Sequence, residues 1–145
     1  MKVDIKKIES GEDEVILRYK EETKRIRLII DAIRGDGEKI YGRKDSETVS
    51  VSIRDLLYIE SVDDKIFAYT KGDVIKLDGT LAGIIEDLKD DRFFRCSKSM
   101  IINIDKVERL KSLSSNRIDA TMEGGEHILI SRTYASEFRR ILKGG

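Results

Sequence analysis

Residues 92–110 read RFFRCSKSMIINIDKVERL. The run Met100–Ile104 is rich in β-prone apolar residues and predicts a strand. The pair Phe93-Phe94 is more typical of a protein core than of a surface that stacks on bases. The polar segment CSKS lies between them, and residues 92–111 hold six basic residues against two acidic ones, a net charge of +4. This stretch therefore combines a strand with a locally basic surface.

Strand signals extend in both directions from this stretch. Alternation of apolar and polar residues predicts strands at Val3–Ile8, Val49–Ile53 and Ile118–Met122. Mixed β-prone runs predict four more strands, at Val15–Tyr19, Ile66–Thr70, Val74–Leu77 and His127–Ile130. Turn-forming Gly, Ser, Asn and Asp residues separate these runs. The chain is therefore predicted to be mainly β.

Three segments change to the helical period of 3.6 residues. The first has apolar residues at positions 26, 29, 30 and 33, with Gly35 just past its end, as a helix C-terminus prefers. The second covers about residues 80–89 and follows Thr80, whose hydroxyl can cap a free backbone N–H. The third follows Ser131, a second candidate cap, and its apolar face carries Tyr134, Phe138, Ile141 and Leu142.

The order of these elements predicts two parts. A β-β-α unit ends near residue 40 and is followed by the polar, turn-rich segment GDGEKIYGRKDSET. We place the boundary near residue 45, which gives a small α+β unit at residues 1–44 and a mainly β domain at residues 45–145. The apolar helix face of the first unit must pack on its own strands, on the β domain or on a second copy of the chain. Because so small a unit buries little core alone, we expect it to form a homodimer.

Length and composition exclude several classes of protein. A chain of 145 residues holds one domain with an appendage, which excludes a larger multidomain enzyme. No run of about 18 apolar residues occurs, and the charged N-terminus MKVDIKKIES differs from a secretory signal. The single cysteine, Cys96, cannot form an internal disulfide. We therefore expect a cytoplasmic protein with no membrane contact.

The charge of the whole chain is balanced, but its distribution is uneven. Lys plus Arg and Asp plus Glu each number 28, so the formal net charge is zero. Residues 131–145 nevertheless carry a net charge of +3, beside the +4 of residues 92–111. If the two segments meet in the fold, they form one basic face for phosphate contacts. Charge alone equally allows scattered, solvated side chains.

Residues for catalysis or for a cofactor are missing. His127 is the only histidine, and its position at the start of a strand favours a surface role over that of a catalytic base. Cys96 has Arg95 and Lys98 nearby, which can lower the pKa of a thiol, yet a structural cysteine fits better. The pairs Asp63-Asp64 and Asp90-Asp91 lack calcium-loop spacing, and no GxGxxG or GxxxxGK motif occurs. We therefore expect that the protein is not an enzyme and that it binds no cofactor, no metal and no small-molecule substrate.

Three blocks in register carry a family resemblance. They are DLLYIES at 55–61, RFFRCSKSMIINIDKVERL at 92–110 and ISRTYASEF at 130–138. Together they resemble the LytTR DNA-binding domain over about two-thirds of the chain. The resemblance implies an elongated fold of stacked small sheets that inserts two loops into successive major grooves of DNA. It also implies a bacterial-type transcription regulator, here expected to stand alone without a receiver domain.

The resemblance also implies which residues contact DNA. The base-contacting positions of the family fall near Lys65, on Lys98, and on Arg132 or Thr133. Lys and Arg can read the acceptor pattern of bases in a major groove. The residues expected to donate to phosphates are Arg95, Ser97 and Ser99. Asn103 has the character of a structural, turn-forming residue.

The chain departs from the family pattern at two places, and a second function therefore stays open. Ser97 stands where many members have His, and Asp63-Asp64 precede Lys65 and would repel phosphates. The first hypothesis is a regulator that binds double-stranded DNA in a sequence-specific manner. The alternative is a protein-interaction module of the same fold that has lost DNA binding. A small enzyme remains only as thiol chemistry of Cys96.

Overall fold

The structure is a computed structural model that describes residues 1–34 and 38–144. The chain divides into two compact units, Met1–Gly37 and Glu38–Gly145. The strand at Lys39–Lys44 pairs within the second unit, although the sequence division at residue 45 assigned it to the first. Gly35, the expected end of the first helix, lies outside the described residues.

The first unit contains one helix, α1 at Lys24–Arg34, as its periodicity predicts. Thr23 begins this helix, because its hydroxyl accepts a hydrogen bond from the amide of Ile26 at 3.2 Å. The strands predicted at Val3–Ile8 and Val15–Tyr19 are wrong, since residues 1–22 contain no strand. Alternation shows that a segment suits a sheet, but a strand also needs a hydrogen-bonded neighbour. The described residues provide none.

The second unit is mainly β, as predicted. Its larger sheet has seven antiparallel strands in the order β2-β1-β5-β4-β3-β7-β6. The bounds are β1 Lys39–Lys44, β2 Glu47–Ser52, β3 Tyr58–Val62, β4 Lys65–Tyr69, β5 Val74–Leu77, β6 Phe93–Arg95 and β7 Met100–Asn103. A smaller antiparallel sheet has the order β10-β9-β8, with β8 Val107–Leu113, β9 Arg117–Met122 and β10 His127–Ile130.

Strand β1 was not predicted, because its sequence KIYGRK shows no apolar alternation. Its position depends on Gly42. A Cβ atom at this residue would lie 2.8 Å from the backbone oxygen of Lys76, so only glycine lets β1 approach β5 this closely. Strands β3, β6 and β8 were also missed. Strand β6 has only three residues, and β8 is exposed along most of its length.

Tight turns set the register of the hairpins. Asp45-Ser46 join β1 to β2, and Asp63-Asp64 join β3 to β4. Both residues of each turn have positive φ angles, which two-residue hairpins of the favoured hand require. Asp tolerates this conformation better than most residues with a side chain. The two acids before Lys65 therefore have a structural function.

Two helices cover the sheets. Helix α2, Leu81–Leu88, begins at Thr80, whose hydroxyl accepts from the amide of Gly83 at 3.1 Å, as predicted. Helix α3, Arg132–Leu142, was also predicted, but the Ser131 side chain makes no capping hydrogen bond. No helix within the described residues is both long and apolar enough to cross a membrane.

The second unit has two apolar cores. The first core packs α2 against the larger sheet and includes Ile59, Ile66, Phe93 and Ile101. The second core packs α3 against the smaller sheet. It includes Phe94, Ile102 and Phe138, and the rings of Phe94 and Phe138 are 5.5 Å apart. The core assignment of the Phe93-Phe94 pair is therefore confirmed.

Cys96 is fully buried in the second core, and its thiol donates to the backbone oxygen of Met100 at 3.6 Å. Burial raises the pKa of this thiol to about 12, against a weaker opposing effect of Arg95. A fully buried thiol with a raised pKa fits the structural cysteine that the sequence favoured over a reactive one.

We predict that the free energy of unfolding falls as pH rises above about 9. The unfolded chain loses the Cys96 proton near its ordinary pKa of 9.0, whereas the folded chain keeps it until about pH 12. The unfolded state then binds fewer protons, and one such group lowers stability by up to about 1.4 kcal/mol per pH unit. Urea denaturation between about pH 8 and 11 measures this slope.

The control is Cys96→Ala, which removes this ionisable group. Its slope above pH 9 is expected to be shallower than that of the wild type, whatever its stability at neutral pH. Burial also raises the pKa of Tyr58 to about 12. Tyr58 is present in both proteins and therefore contributes equally to both slopes. Parallel slopes for the two proteins would show that the Cys96 proton is not linked to folding.

Candidate nucleic-acid interface

The loop at residues 96–99 lies between β6 and β7, and it presents Lys98 to solvent. The amide of Cys96 donates to the oxygen of Met100 at 3.0 Å and closes the base of the loop. Within it, the Ser97 hydroxyl accepts from the amide of Ser99 at 3.3 Å. The Ser97 side chain is half-buried, whereas Ser99 is exposed. Lys98 thus projects from a short, internally bonded loop.

The Arg95 side chain binds this loop from inside. Its Nε donates to the backbone oxygen of Ser97 at 2.9 Å, and its Nη2 donates to that of Lys98 at 2.6 Å. These contacts fix both peptide groups on either side of the Lys98 side chain. The sequence assigned Arg95 to phosphate contact, but here two of its donors are used by loop carbonyls. Its geometry is that of a positioning residue.

Lys65 lies at the same end of the larger sheet, with strand β3 between it and this loop. It begins β4 directly after the Asp63-Asp64 turn, pairs with Val62 in the register and is exposed. The amide of Ser61 donates to the backbone oxygen of Ser99 at 2.8 Å, which joins the end of β3 to the Lys98 loop. The two loops are therefore neighbours at one end of the larger sheet.

The start of α3 is the third neighbour. The amide of Ser131 donates to the backbone oxygen of Cys96 at 2.9 Å, and the next two residues are Arg132 and Thr133. Both are exposed. Because the Ser131 side chain does not cap the helix, their amides have no hydrogen-bond acceptor within residues 1–34 and 38–144. Free amides at a helix N-terminus favour anions such as phosphate.

These contacts bring the predicted residues together as one surface. We call it the three-loop surface, and its members are Lys65, Ser97, Lys98, Ser99, Arg132 and Thr133. The side chains of Lys65, Lys98 and Arg132 form no ion pair with any residue that the structure describes. Their charges are therefore available to an external anion.

Other basic residues of the same two segments have internal partners. Arg92 pairs with Asp90 at 2.6 Å in a half-buried site, and Lys106 pairs with Glu123 at 3.5 Å. The guanidinium of Arg139 binds the Asn116 side chain, and Arg140 pairs with Glu137 at 3.3 Å. Counting charges along the sequence therefore overestimated the free basic surface. The sequence does not indicate which of these basic residues have internal partners and which, like Lys98, do not.

Asn103 supports the surface from within the fold, in agreement with its predicted structural role. It is fully buried, its Nδ2 donates to the oxygen of Leu56 at 2.8 Å, and its Oδ1 accepts from the amide of Asp105 at 3.1 Å. Its own amide donates to the oxygen of Leu57 at 3.0 Å. These bonds anchor the end of β7 opposite the Lys98 loop.

His127 and the acidic side chains are the remaining candidates for chemistry that the sequence offers. His127 is exposed, and its Nδ1 lies 3.0 Å from Asp119 Oδ2. Among the described residues, no cluster of three or more His, Cys, Asp or Glu side chains could hold a metal ion. A cavity of about 420 Å³ is lined by charges of both signs, including Asp73, Lys106 and Glu123. Its position is away from the three-loop surface.

Sequence comparison finds relatives of this chain among known proteins. The chain is similar to the sensory transduction protein LytT of Bacillus cereus, with 28% identity over 95 residues, which are 66% of this chain and 39% of LytT. It is also similar to the transcriptional regulatory protein YpdB of Escherichia coli, with 23% identity over 100 residues, 68% of this chain and 41% of YpdB. The chain thus spans about two-fifths of these relatives.

A solved structure provides an independent match. It is the LytTr DNA-binding domain of a methyl-accepting/DNA response regulator from Bacillus cereus, with a TM-score of 0.68 and 23% identity. The match covers 72% of this chain and 95% of that domain. Residues 46–143 also match the family model described as the LytTr DNA-binding domain. The chain therefore belongs to the LytTR DNA-binding domain family.

Proposed function

We propose that this chain is a transcription regulator that binds double-stranded DNA in a sequence-specific manner. The observation that carries the proposal is the three-loop surface, where backbone hydrogen bonds from Ser61 and Ser131 join three exposed loops. Lys98 and Arg132 contact base edges in the major groove, with Lys65 beside them. The relatives LytT and YpdB, which are named as a sensory transduction protein and a transcriptional regulatory protein, support this assignment.

Phosphate contacts hold the loops against the duplex. The free amides of Arg132 and Thr133 point from a helix N-terminus, and Ser97 and Ser99 add hydroxyl groups beside Lys98. Backbone contacts of this kind set position and affinity, whereas base contacts provide specificity. The zero net charge of the chain limits indiscriminate binding, because only a local surface attracts the polyanion. The regulator acts as a cytoplasmic homodimer on paired DNA sites.

The first experiment identifies the DNA sequence and then measures the base-contact residues. Selection from a random duplex pool at about 0.15 M salt recovers the bound motif, because weak nonspecific contacts are screened there. Lys98→Ala and Arg132→Ala should each weaken binding to that motif by about 1–3 kcal/mol. Fluorescence anisotropy with the selected duplex measures the change.

The matched control is Lys71→Ala. Lys71 is an exposed lysine that follows the far end of β4, so it lies away from Lys65 and the three-loop surface. Its replacement is expected to leave DNA affinity unchanged. Unchanged affinity of both Lys98→Ala and Arg132→Ala would remove the site assignment, and a pool without enrichment would remove sequence-specific binding.

Arg95 gives a prediction of a different kind, because it positions Lys98 through two carbonyl contacts. Arg95→Lys keeps the positive charge but cannot reproduce the two-pronged contact of a guanidinium. We expect it to weaken specific binding about tenfold, with little change in affinity for unrelated DNA. The dependence of affinity on salt should stay the same, whereas loss of a phosphate contact would lower the salt slope by about one. A lower slope with unchanged specificity would make Arg95 a phosphate contact instead.

The Asp63-Asp64 turn favours a second candidate function, a protein-interaction module, because two exposed carboxylates lie directly beside Lys65. The double variant Asp63→Asn with Asp64→Asn removes both charges and keeps residues that accept positive φ angles. If the turn faces DNA, affinity should rise several-fold at low salt, and this gain should shrink as salt screens the charges. Equal affinity of variant and wild type at every salt concentration would place the turn outside the DNA interface.

A further inference from the structure

Exposed apolar side chains are concentrated in the N-terminal unit. Nine of the fifteen large apolar side chains that are exposed in the described part of the chain lie within residues 1–34, less than a quarter of its length. They are Met1, Val3, Ile5, Ile8, Val15, Ile16, Tyr19, Leu28 and Ile33. Single exposed apolar residues are ordinary, but a concentration of this kind marks an interaction surface.

The backbone of residues 1–20 has no hydrogen-bond partner among the residues that the structure describes. Segment A, residues 1–8, and segment B, residues 12–19, adopt neither helix nor strand. No backbone hydrogen bond to another described residue involves residues 1–20. Both segments have β-prone sequences, and free N–H and C=O groups on such segments are a template for pairing with another chain. The region thus offers backbone and apolar contacts together.

The charges indicate what covers this region. Segment A carries Lys2, Lys6 and Lys7 against Asp4, a net charge of +2. Segment B begins with Glu12, Asp13 and Glu14 and has a net charge of −2 once Arg18 is counted. All eight side chains are exposed. Residues 1–34 together hold nine basic and eight acidic residues, a balance that does not suit an anionic membrane or a nucleic acid. Opposite charges on two segments of one chain suit a second copy of that chain.

We infer that segments A and B are the dimer surface, with the basic segment A of one copy against the acidic segment B of its partner. A two-fold axis makes this contact twice, so all the charges are matched in a closed pair. The contact buries the exposed apolar side chains and provides partners for the free backbone groups. The inference deepens the homodimer of the proposed function by naming its surface.

The test uses the full chain without DNA, so that its outcome is separate from that of DNA binding. Sedimentation equilibrium at micromolar concentration should give a mass of about 33 kDa, twice the 16.6 kDa of one chain. The double variant Ile5→Asp with Ile16→Asp should be monomeric. These side chains are 87% and 68% exposed, so their replacement leaves the packed interior intact. Circular dichroism confirms that the variant is folded.

Leu129→Asp is the matched control. Leu129 is also an exposed apolar residue, but it lies on β10 of the second unit, and this variant should stay dimeric. A monomeric wild type, or a dimer that persists in the Ile5→Asp, Ile16→Asp variant, overturns the inference. If the monomer then still binds DNA, the proposed base contacts stand and only the dimer surface is rejected.

Charge reversal tests which segments meet. Lys6→Glu with Lys7→Glu makes both segments acidic, and Glu12→Lys with Glu14→Lys makes both mainly basic. Each variant alone should dissociate about tenfold more readily, equivalent to about 1.4 kcal/mol. An equimolar mixture should form a heterodimer, because each segment then faces an opposite charge. The pairing of A with B is contradicted if both variants dimerise as tightly as the wild type. It is also contradicted if the mixture dimerises no more tightly than each variant alone.

Discussion

Strand β7 is the constraint on which the second unit depends, because its two central residues belong to different cores. Ile101 packs into the first core and Ile102 into the second, and both are fully buried. Its partner β6 repeats the arrangement with Phe93 and Phe94. Since neighbouring side chains of a strand point to opposite faces, a shift of one residue would exchange the two cores. This hairpin therefore has one register, and its loop has one position.

That register determines how the three-loop surface is presented. The loop of the hairpin carries Lys98, and both of its ends enter buried strands. Hydrogen bonds from Ser61 and Ser131 then place the other two loops beside it, and Arg95 fixes its carbonyl groups. A base contact worth about 1–3 kcal/mol requires such order, because a mobile lysine loses side-chain entropy when it binds. The packing of the two cores thus holds the three-loop surface in one conformation.

Much of this architecture could be predicted from sequence, for identifiable reasons. Six strands and all three helices follow from periodicity, and three sequence blocks sufficed to find the family. The roles of Lys65, Lys98 and Arg132 in DNA binding stay predictions. The strands expected in residues 1–22 failed because alternation describes one strand and says nothing of its partner. The hydrogen bonds of Arg95 within the loop could not be predicted, since they are made to backbone oxygens, which every sequence has. The division of function between the two parts stays a prediction.

The balance of charge shows why sequence and structure must be combined for a site of this type. Residues 92–111 and 131–145 hold ten basic residues, and the sequence does not show which of them are free to bind an external anion. In the fold, Arg92, Lys106 and Arg140 are neutralised by acids within the domain, and Arg95 binds backbone oxygens. Lys98 and Arg132 are among the basic residues that have no acidic partner within the described part of the chain, and these two lie in adjacent loops. A chain of zero net charge can therefore present a locally basic surface, because some of its acids pair with basic residues elsewhere in the domain.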